Sequence, residues 1–268
     1  QLLDSALESE PWFLEVDFQN PHHPWDITEE MYEMYRNPDV EFPGPINSDL
    51  DVSSEKHQEI RRNYAAMVEH IDECVGRLIK KLEEREELEN TLVVFTSDHG
   101  EMLGDHGQWQ KLSPLQMSVE VPFVVAGPDV ASREATDAPA TLLDLHSTFL
   151  EYAGVDLDPN IDSRTMKPVF EGEDDQARDV VYSGLSSWRM VYDGRYKLIE
   201  GYDPELRYAS TFEPMNAAPE NTERRQRERE RILYDLKHNE TDNLASSEPE
   251  IVDCLAKQLQ QIQHYENA

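Results

Sequence analysis

The chain has 268 residues, enough for one large domain or one domain with a smaller companion, and 38% of them are hydrophobic, enough for a core. Its 56 acidic against 24 basic residues give a formal net charge of -32, which argues against nucleic acid and anionic membranes as partners, because phosphates are met by Lys and Arg. No apolar run approaches the roughly 18 residues of a membrane span, and two cysteines, Cys74 and Cys254, are too few for a disulfide framework.

Acidic side chains are scattered along the whole chain and Arg outnumbers Lys. That pattern reads as adaptation to high salt, where ions at about 1 M shorten the Debye length to about 3 Å and relieve self-repulsion. An acidic protein of ordinary salinity is the alternative. The opening QLLDSALESEPWF has neither an initiating Met nor a signal-peptide pattern and reads as part of an amphipathic helix, the start of a fragment or a processed chain. Few cysteines and no visible signal point to the cytoplasm.

In chain order, Leu14, Val16 and Phe18 alternate with Glu15 and Asp17, the pattern of a strand. A Pro-rich loop follows, with PHHPW and FPGP. Over residues 55–88, Ile60, Tyr64, Met67, Val68, Ile71, Val75, Leu78 and Leu82 recur at steps of three and four and predict a long helix. TLVVFTS (91–97) and VPFVVAG (121–127) are short β-branched runs of the kind buried in parallel sheets. A helix is expected near 139–153, with Leu142, Leu143, Leu145, Phe149 and Leu150 inward and Gly154 as its stop. Both cysteines fall within helical patterns, Cys254 in a final amphipathic helix near 247–265.

Strand, helix, strand, strand, helix predicts an α/β domain over residues 1–170, with helices packed on a largely parallel or mixed sheet. Beyond it the texture changes: VVYSG, WRMVYD, YKLIEG and ILYDL are separated by turn residues and predict a small antiparallel α+β subdomain over 171–268. The polar stretch 213–231 between them reads as a surface excursion.

Chemistry concentrates in TLVVFTSDHGEMLGDHGQWQK, residues 91–111. A buried strand delivers Asp98 and His99 at its carboxyl end, where open α/β sheets place their ligands. A carboxylate oxygen and an imidazole can each bind a divalent cation. Gly100, Gly104 and Gly107 allow tight turns and close backbone approach, and His106 and Lys111 are candidates to meet an anionic substrate. A strand followed by an Asx turn, with Asp98 bonding local amides, explains the same residues without chemistry.

This stretch resembles the sulfatase branch of the alkaline-phosphatase superfamily, in which a strand ends in SDHGE or SDNGE. The resemblance continues through FLEVDFQNPHHPW, YAAMVEHIDECVGRLIKKLEE, VEVPFVVAGP, ATLLDLHSTFLEYAGV, YDGRYKLI and LYDLKHNETDNLA, in the family's order and over almost the whole chain. It implies that Asp98 and His99 are metal ligands and that Lys111 contacts the sulfate. It also implies that His22 lies against the ester and can protonate the leaving alcohol, with His23 and His106 as further substrate contacts. The implied cofactor is one divalent cation, Ca2+ first, with Mg2+ and Mn2+ as alternatives, and His99 in place of Asn shifts the preference toward a softer metal. The implied substrate is a small-molecule sulfate ester.

The family's nucleophile, a formylglycine made from Cys or Ser in C/S-x-P-x-R, has no counterpart here: Cys74 lies in ECVGR and Cys254 in DCLAK. The family's first metal-binding Asp pair is also absent. The resemblance therefore implies an alkaline-phosphatase-like fold without its N-terminal half, incomplete as a catalyst alone and presenting a sheet edge suited to self-association or to that missing half. A phosphonate monoester or phosphodiester hydrolase, and a noncatalytic binding homologue, are the alternatives.

Overall fold

The computed structural model describes residue 3 and residues 10–132, 135–185, 188–202, 231–238 and 240–266, the last without the side chains of 262–266. The expected surface excursion at 213–231 lies outside the described residues except for Arg231, as does nearly all of the N-terminal helical pattern. The chain divides into two compact units, residues 1–93 with 103–108, and residues 94–102 with 109–268.

The first unit is organised by two helices, α1 (Glu29–Met34) and α2 (Ser54–Glu84). Both begin as capping rules require: Thr28 Oγ1 accepts from Met31 N–H and Ser53 Oγ from Lys56 N–H, so an otherwise orphaned amide is satisfied at each start. The apolar stripe of α2 buries Ala66, Met67, Ile71 and Leu82, while Val68, assigned to the same stripe by spacing, is 45% exposed. Arg36 Nε donates to Asn63 Oδ1 at 3.1 Å, and Asn63 Nδ2 donates to the Trp25 carbonyl at 3.0 Å, which ties the Pro-rich loop to α2.

The segment around Leu14, Val16 and Phe18 forms no strand, and Phe13, Val16 and Phe18 are exposed. Alternation marks a segment with two unlike faces, but a strand also needs a neighbouring backbone to receive its N–H and C=O groups. Among the described residues no ladder provides one.

In the second unit, β1 (Val93–Thr96) pairs with β2 (Phe123–Ala126) in a two-stranded sheet, with the single turn α3 (Gln116–Val119) leading into β2. Helix α4 (Asp144–Tyr152) starts later than expected and ends at Gly154, whose φ of +70° suits a residue without Cβ. Its buried face also differs from expectation. Asp144, Ser147 and Thr148 are buried, whereas Leu143 is 44% exposed. The reason is a polar cluster: Arg178 Nε donates to Asp144 Oδ2 at 2.8 Å and Arg164 N–H to Asp144 Oδ1 at 2.8 Å. Ser163 Oγ accepts from Ser147 N–H at 3.0 Å. A buried carboxylate with these partners dictates which way the helix turns. The one-turn helix α5 (Lys167–Phe170) follows, and its Val169 and Phe170 are buried.

The C-terminal part is the antiparallel meander read from the turns: β3 (Val181–Leu185), β4 (Trp188–Tyr192), β5 (Tyr196–Glu200) and β6 (Arg231–Asp235), in that order. Between β4 and β5, Gly194 adopts φ +95° and Asp193 Oδ1 accepts from the N–H groups of Arg195 and Tyr196, so Asp-Gly closes the hairpin. Register puts Val191 opposite Leu198 and Leu198 opposite Leu233 on one face. There Val252, Leu255, Ala256 and Leu259 of α6 (Pro249–Glu266) cover them at steps of three and four. Each fully buried leucine there contributes about 2 kcal/mol. On the opposite face, Trp188, Met190, Ile199 and Ile232 pack with Met102, Leu115 and Tyr202. Two of these, Met102 and Leu115, flank the segment that carries Lys111. Cys74 is half-buried, Cys254 is exposed, and both are free thiols.

Candidate functional site

Asp98 and His99 lie two and three residues beyond the end of β1 at Thr96, where Ser97 turns the chain. Its Oγ donates to the His99 carbonyl at 2.9 Å. Asp98 Oδ1 accepts from His99 N–H at 3.0 Å, so the local-turn bond foreseen for this carboxylate is made. Its other oxygen, Oδ2, lies 3.5 Å from His99 Nε2, and the Asp98 side chain is 84% exposed. The turn and a ligand role are therefore compatible, one oxygen for each.

The imidazole of His99 is oriented by its other nitrogen. Nδ1 donates to the Gly100 carbonyl at 2.9 Å, which assigns the lone pair of the neutral ring to Nε2. A backbone carbonyl on the far nitrogen is the usual way a ligating histidine is aimed. Two donors about 2.4 Å from one ion and at right angles lie about 3.4 Å apart, so the 3.5 Å between Oδ2 and Nε2 fits one edge of a cation's coordination shell. The pair fits as part of a site. One carboxylate oxygen and one imidazole fall short of the about six to eight ligands that Ca2+ takes, and no group of three potential ligands occurs among the described residues.

The loop is held in place by the segment after it. Gly100 N–H donates to the Ser118 carbonyl at 2.9 Å, and a Cβ on Gly100 would stand 2.1 Å from the Met117 carbonyl oxygen. Only glycine permits that approach. Gln110 N–H donates to Glu101 Oε1 at 2.5 Å, and Met102 N–H donates to the Gln110 carbonyl at 2.8 Å. Lys111 sits half-buried between Gln110 at φ +66° and Leu112 at φ +79°. Left-handed backbone at a residue with a side chain costs about 1–3 kcal/mol and persists where surroundings enforce it, often at functional sites. Two such residues therefore bracket the candidate sulfate-binding lysine.

In the first unit, His22 Nδ1 donates to the His23 carbonyl at 2.7 Å, which leaves Nε2 as the acceptor nitrogen of the neutral ring, as in His99. The His22 and His23 rings lie 4.2 Å apart at 30°, and the His23 ring meets Trp25 edge-on at 6.2 Å. His106 has left-handed backbone (φ +51°), and its N–H donates to the Ile46 carbonyl at 2.6 Å. Beside it the buried Asp105 accepts from Arg61 Nη2 and from Ile46 N–H, both at 2.9 Å. His57 is buried, and desolvation followed by the Arg61 charge pushes its pKa below the usual histidine value. The structure brings Asp98 and His99 together, puts Lys111 on the segment bonded to their loop, and groups His22 with His23.

Sequence reasoning passed over Glu101, Lys197 and Glu240. Lys197 is 1% exposed in β5, ion-paired with buried Glu240, and donates from Nζ to the Pro114 carbonyl at 2.8 Å. Desolvation drives its pKa down, while the Glu240 charge opposes that. The signal was legible: alternation in YKLIE puts Lys197 on the same face as Ile199, a charge where a core residue is expected.

A sulfatase family model matches residues 1–155. The chain belongs to the sulfatase family. It is 29% identical over 235 residues to the choline-sulfatase of Rhizobium meliloti, covering 76% of this chain and 45% of that protein. It is 28% identical over 196 residues to an arylsulfatase of Clostridium perfringens, covering 65% and 40%. The phosphonate monoester hydrolase of Agrobacterium radiobacter shares its fold with a TM-score of 0.74 at 20% identity, over 98% of this chain and 58% of that one. The chain spans about half the length of the curated relatives it matches. Members of the sulfatase family generally use a divalent cation. Among the described residues no helix is long and apolar enough to cross a membrane.

Proposed function

We propose that this chain forms the part of a sulfuric ester hydrolase that supplies two metal ligands and the groups that meet the ester. The observation that carries the reading is the convergence of Asp98 Oδ2 and His99 Nε2 at 3.5 Å, with the imidazole aimed by its bond to the Gly100 carbonyl. These two atoms would hold the cation, with Ca2+ first because carboxylate oxygen is a hard donor, and Mg2+ or Mn2+ next. When bound, the cation supplies charge neutralisation for an anionic ester and its nucleophile.

Lys111 then contributes an ammonium to the ester's anionic oxygens, held by the bracketing turns at the place where charge develops. His22, with Nδ1 occupied by the His23 carbonyl, offers Nε2 as the atom that hydrogen-bonds the ester and, when protonated, gives its proton to the departing alcohol. His23 and His106 are the lower-ranked substrate contacts. No residue of this chain matches the family's nucleophile motif, so the attacking group comes from outside these residues and no attack step is assigned to them. The division of labour between residues 1–170 and 171–268, a high-salt habitat and a cytoplasmic location belong to the same proposal.

The test is cation binding and turnover by the full-length protein. Asp98→Asn and His99→Ala should each weaken Ca2+ or Mn2+ binding by at least about tenfold, since even partners one shell out cost that much. Lys111→Ala should raise KM for p-nitrophenyl sulfate. Turnover of a phenylphosphonate monoester but not the sulfate selects the phosphonate reading. Cation binding unaffected by both ligand variants, with no turnover of either ester, leaves a noncatalytic binding protein.

A further inference from the structure

Residues 112–116 are gripped one after another by the C-terminal sheet. Trp188 Nε1 of β4 donates to the Leu112 carbonyl at 3.1 Å. Ser113 Oγ and the Tyr202 hydroxyl lie 3.1 Å apart. Lys197 Nζ donates to the Pro114 carbonyl at 2.8 Å, Leu115 is buried against Trp188, Met190 and Ile199, and Gln116 N–H donates to Glu240 Oε2 at 2.6 Å.

We propose that the C-terminal antiparallel sheet is the positioning frame of the site, with Lys197 and Glu240 as positioning residues that hold the turn carrying Lys111 and, through Gly100 and Gln110, the loop carrying Asp98 and His99. The inference deepens the hydrolase reading and rests on it for its chemical consequence, though not for its mechanical one.

Three observations converge. First, a buried ion pair is a poor stabiliser, since apolar residues of similar volume often do as well or better. Stability alone therefore does not explain why Lys197, 1% exposed, faces Glu240, 6% exposed. Second, the pair spends its remaining hydrogen-bonding capacity on the backbone of one segment: a Lys197 proton on Pro114 and a Glu240 oxygen on Gln116. The pair is a crossbar between β5, the turn after β6, and residues 114–116. Third, that segment contains or adjoins the strained pair Gln110 and Leu112, and backbone of this kind needs fixed surroundings. The grip passes on to the metal loop through Gly100 to Ser118 and through Met102 to Gln110.

The experiment compares the full-length wild type with the double variant Lys197→Met/Glu240→Leu, which keeps side-chain bulk and removes both backbone bonds. Amide hydrogen exchange should rise about tenfold at residues 98–102 and 110–118, the size expected for losing a hydrogen bond, with α6 as protected as before. The dissociation constant for Mn2+, used as the probe, should rise by a similar factor. Exchange that rises everywhere, or stays as in wild type, overturns the proposal. So does a selective rise in exchange with unchanged Mn2+ affinity. Should the double variant lack a cooperative melt, Lys197→Met/Glu240→Gln replaces it, keeping an acceptor for Gln116 while removing the bond to Pro114 and leaving no unpaired charge, under the same criteria. If wild type binds Mn2+ yet hydrolyses no sulfate ester, the hydrolase reading falls while the exchange comparison still decides the frame.

Discussion

Replacing Gly100 by Ala should disable the site without touching a ligand. The added Cβ would meet the Met117 carbonyl oxygen at 2.1 Å, its carbon at 3.0 Å and the Glu120 carbonyl oxygen at 3.2 Å. All three neighbours are backbone, so no side-chain rotation relieves the contact. The loop must retreat by about 1 Å, and overpacking of this kind costs about 1–3 kcal/mol. The retreat also stretches the bond from Gly100 N–H to the Ser118 carbonyl and moves the carbonyl that aims the His99 ring. A misplacement of about 1 Å in a positioned group costs on the order of 100-fold in rate, so kcat/KM should fall by that order and Mn2+ affinity with it. Thermal melting, Mn2+ titration and ester turnover of the Gly100→Ala full-length protein measure the three effects. Wild-type Mn2+ affinity and melting temperature in that variant would refute the reasoning, because the loop would then have room that its geometry denies.

The buried pair Asp144 and Arg178 makes the second prediction: Asp144→Ala leaves a guanidinium that is 8% exposed without its carboxylate and should cost about 3–5 kcal/mol, read by denaturant unfolding. The third concerns acid. Arg195 beside Asp235 holds its carboxyl down at about 2, so this pair stabilises the fold above the unfolded value near pH 4. That contribution is lost as pH falls from about 4 toward 2, and Arg195→Gln should flatten this part of the stability–pH curve. A curve of unchanged shape in that variant would count against the assignment.

Much of this protein is local and therefore legible in the sequence. Helix α2 follows from apolar steps of three and four capped by Ser53, the β4–β5 hairpin from Asp193-Gly194, and the stop of α4 from Gly154. The place of Asp98 and His99 at a strand end also follows from order alone, since TLVVFTS precedes them. Tertiary structure decided the rest. Leu14, Val16 and Phe18 alternate as a strand should, yet strand formation depends on a partner backbone that alternation does not encode. Helix α4 buries Asp144 and Thr148 because Arg178 and Arg164, distant in sequence, meet the Asp144 carboxylate and Met166 N–H meets Thr148 Oγ1. Lys197 can be buried only because Glu240 and the Pro114 carbonyl reach it from elsewhere in the chain. Periodicity and turn chemistry are properties of neighbouring residues, and the sequence determines them directly. Desolvation, ion pairing and the anchoring of Gly100 against Met117 and Ser118 arise from atoms that meet only once the chain has folded.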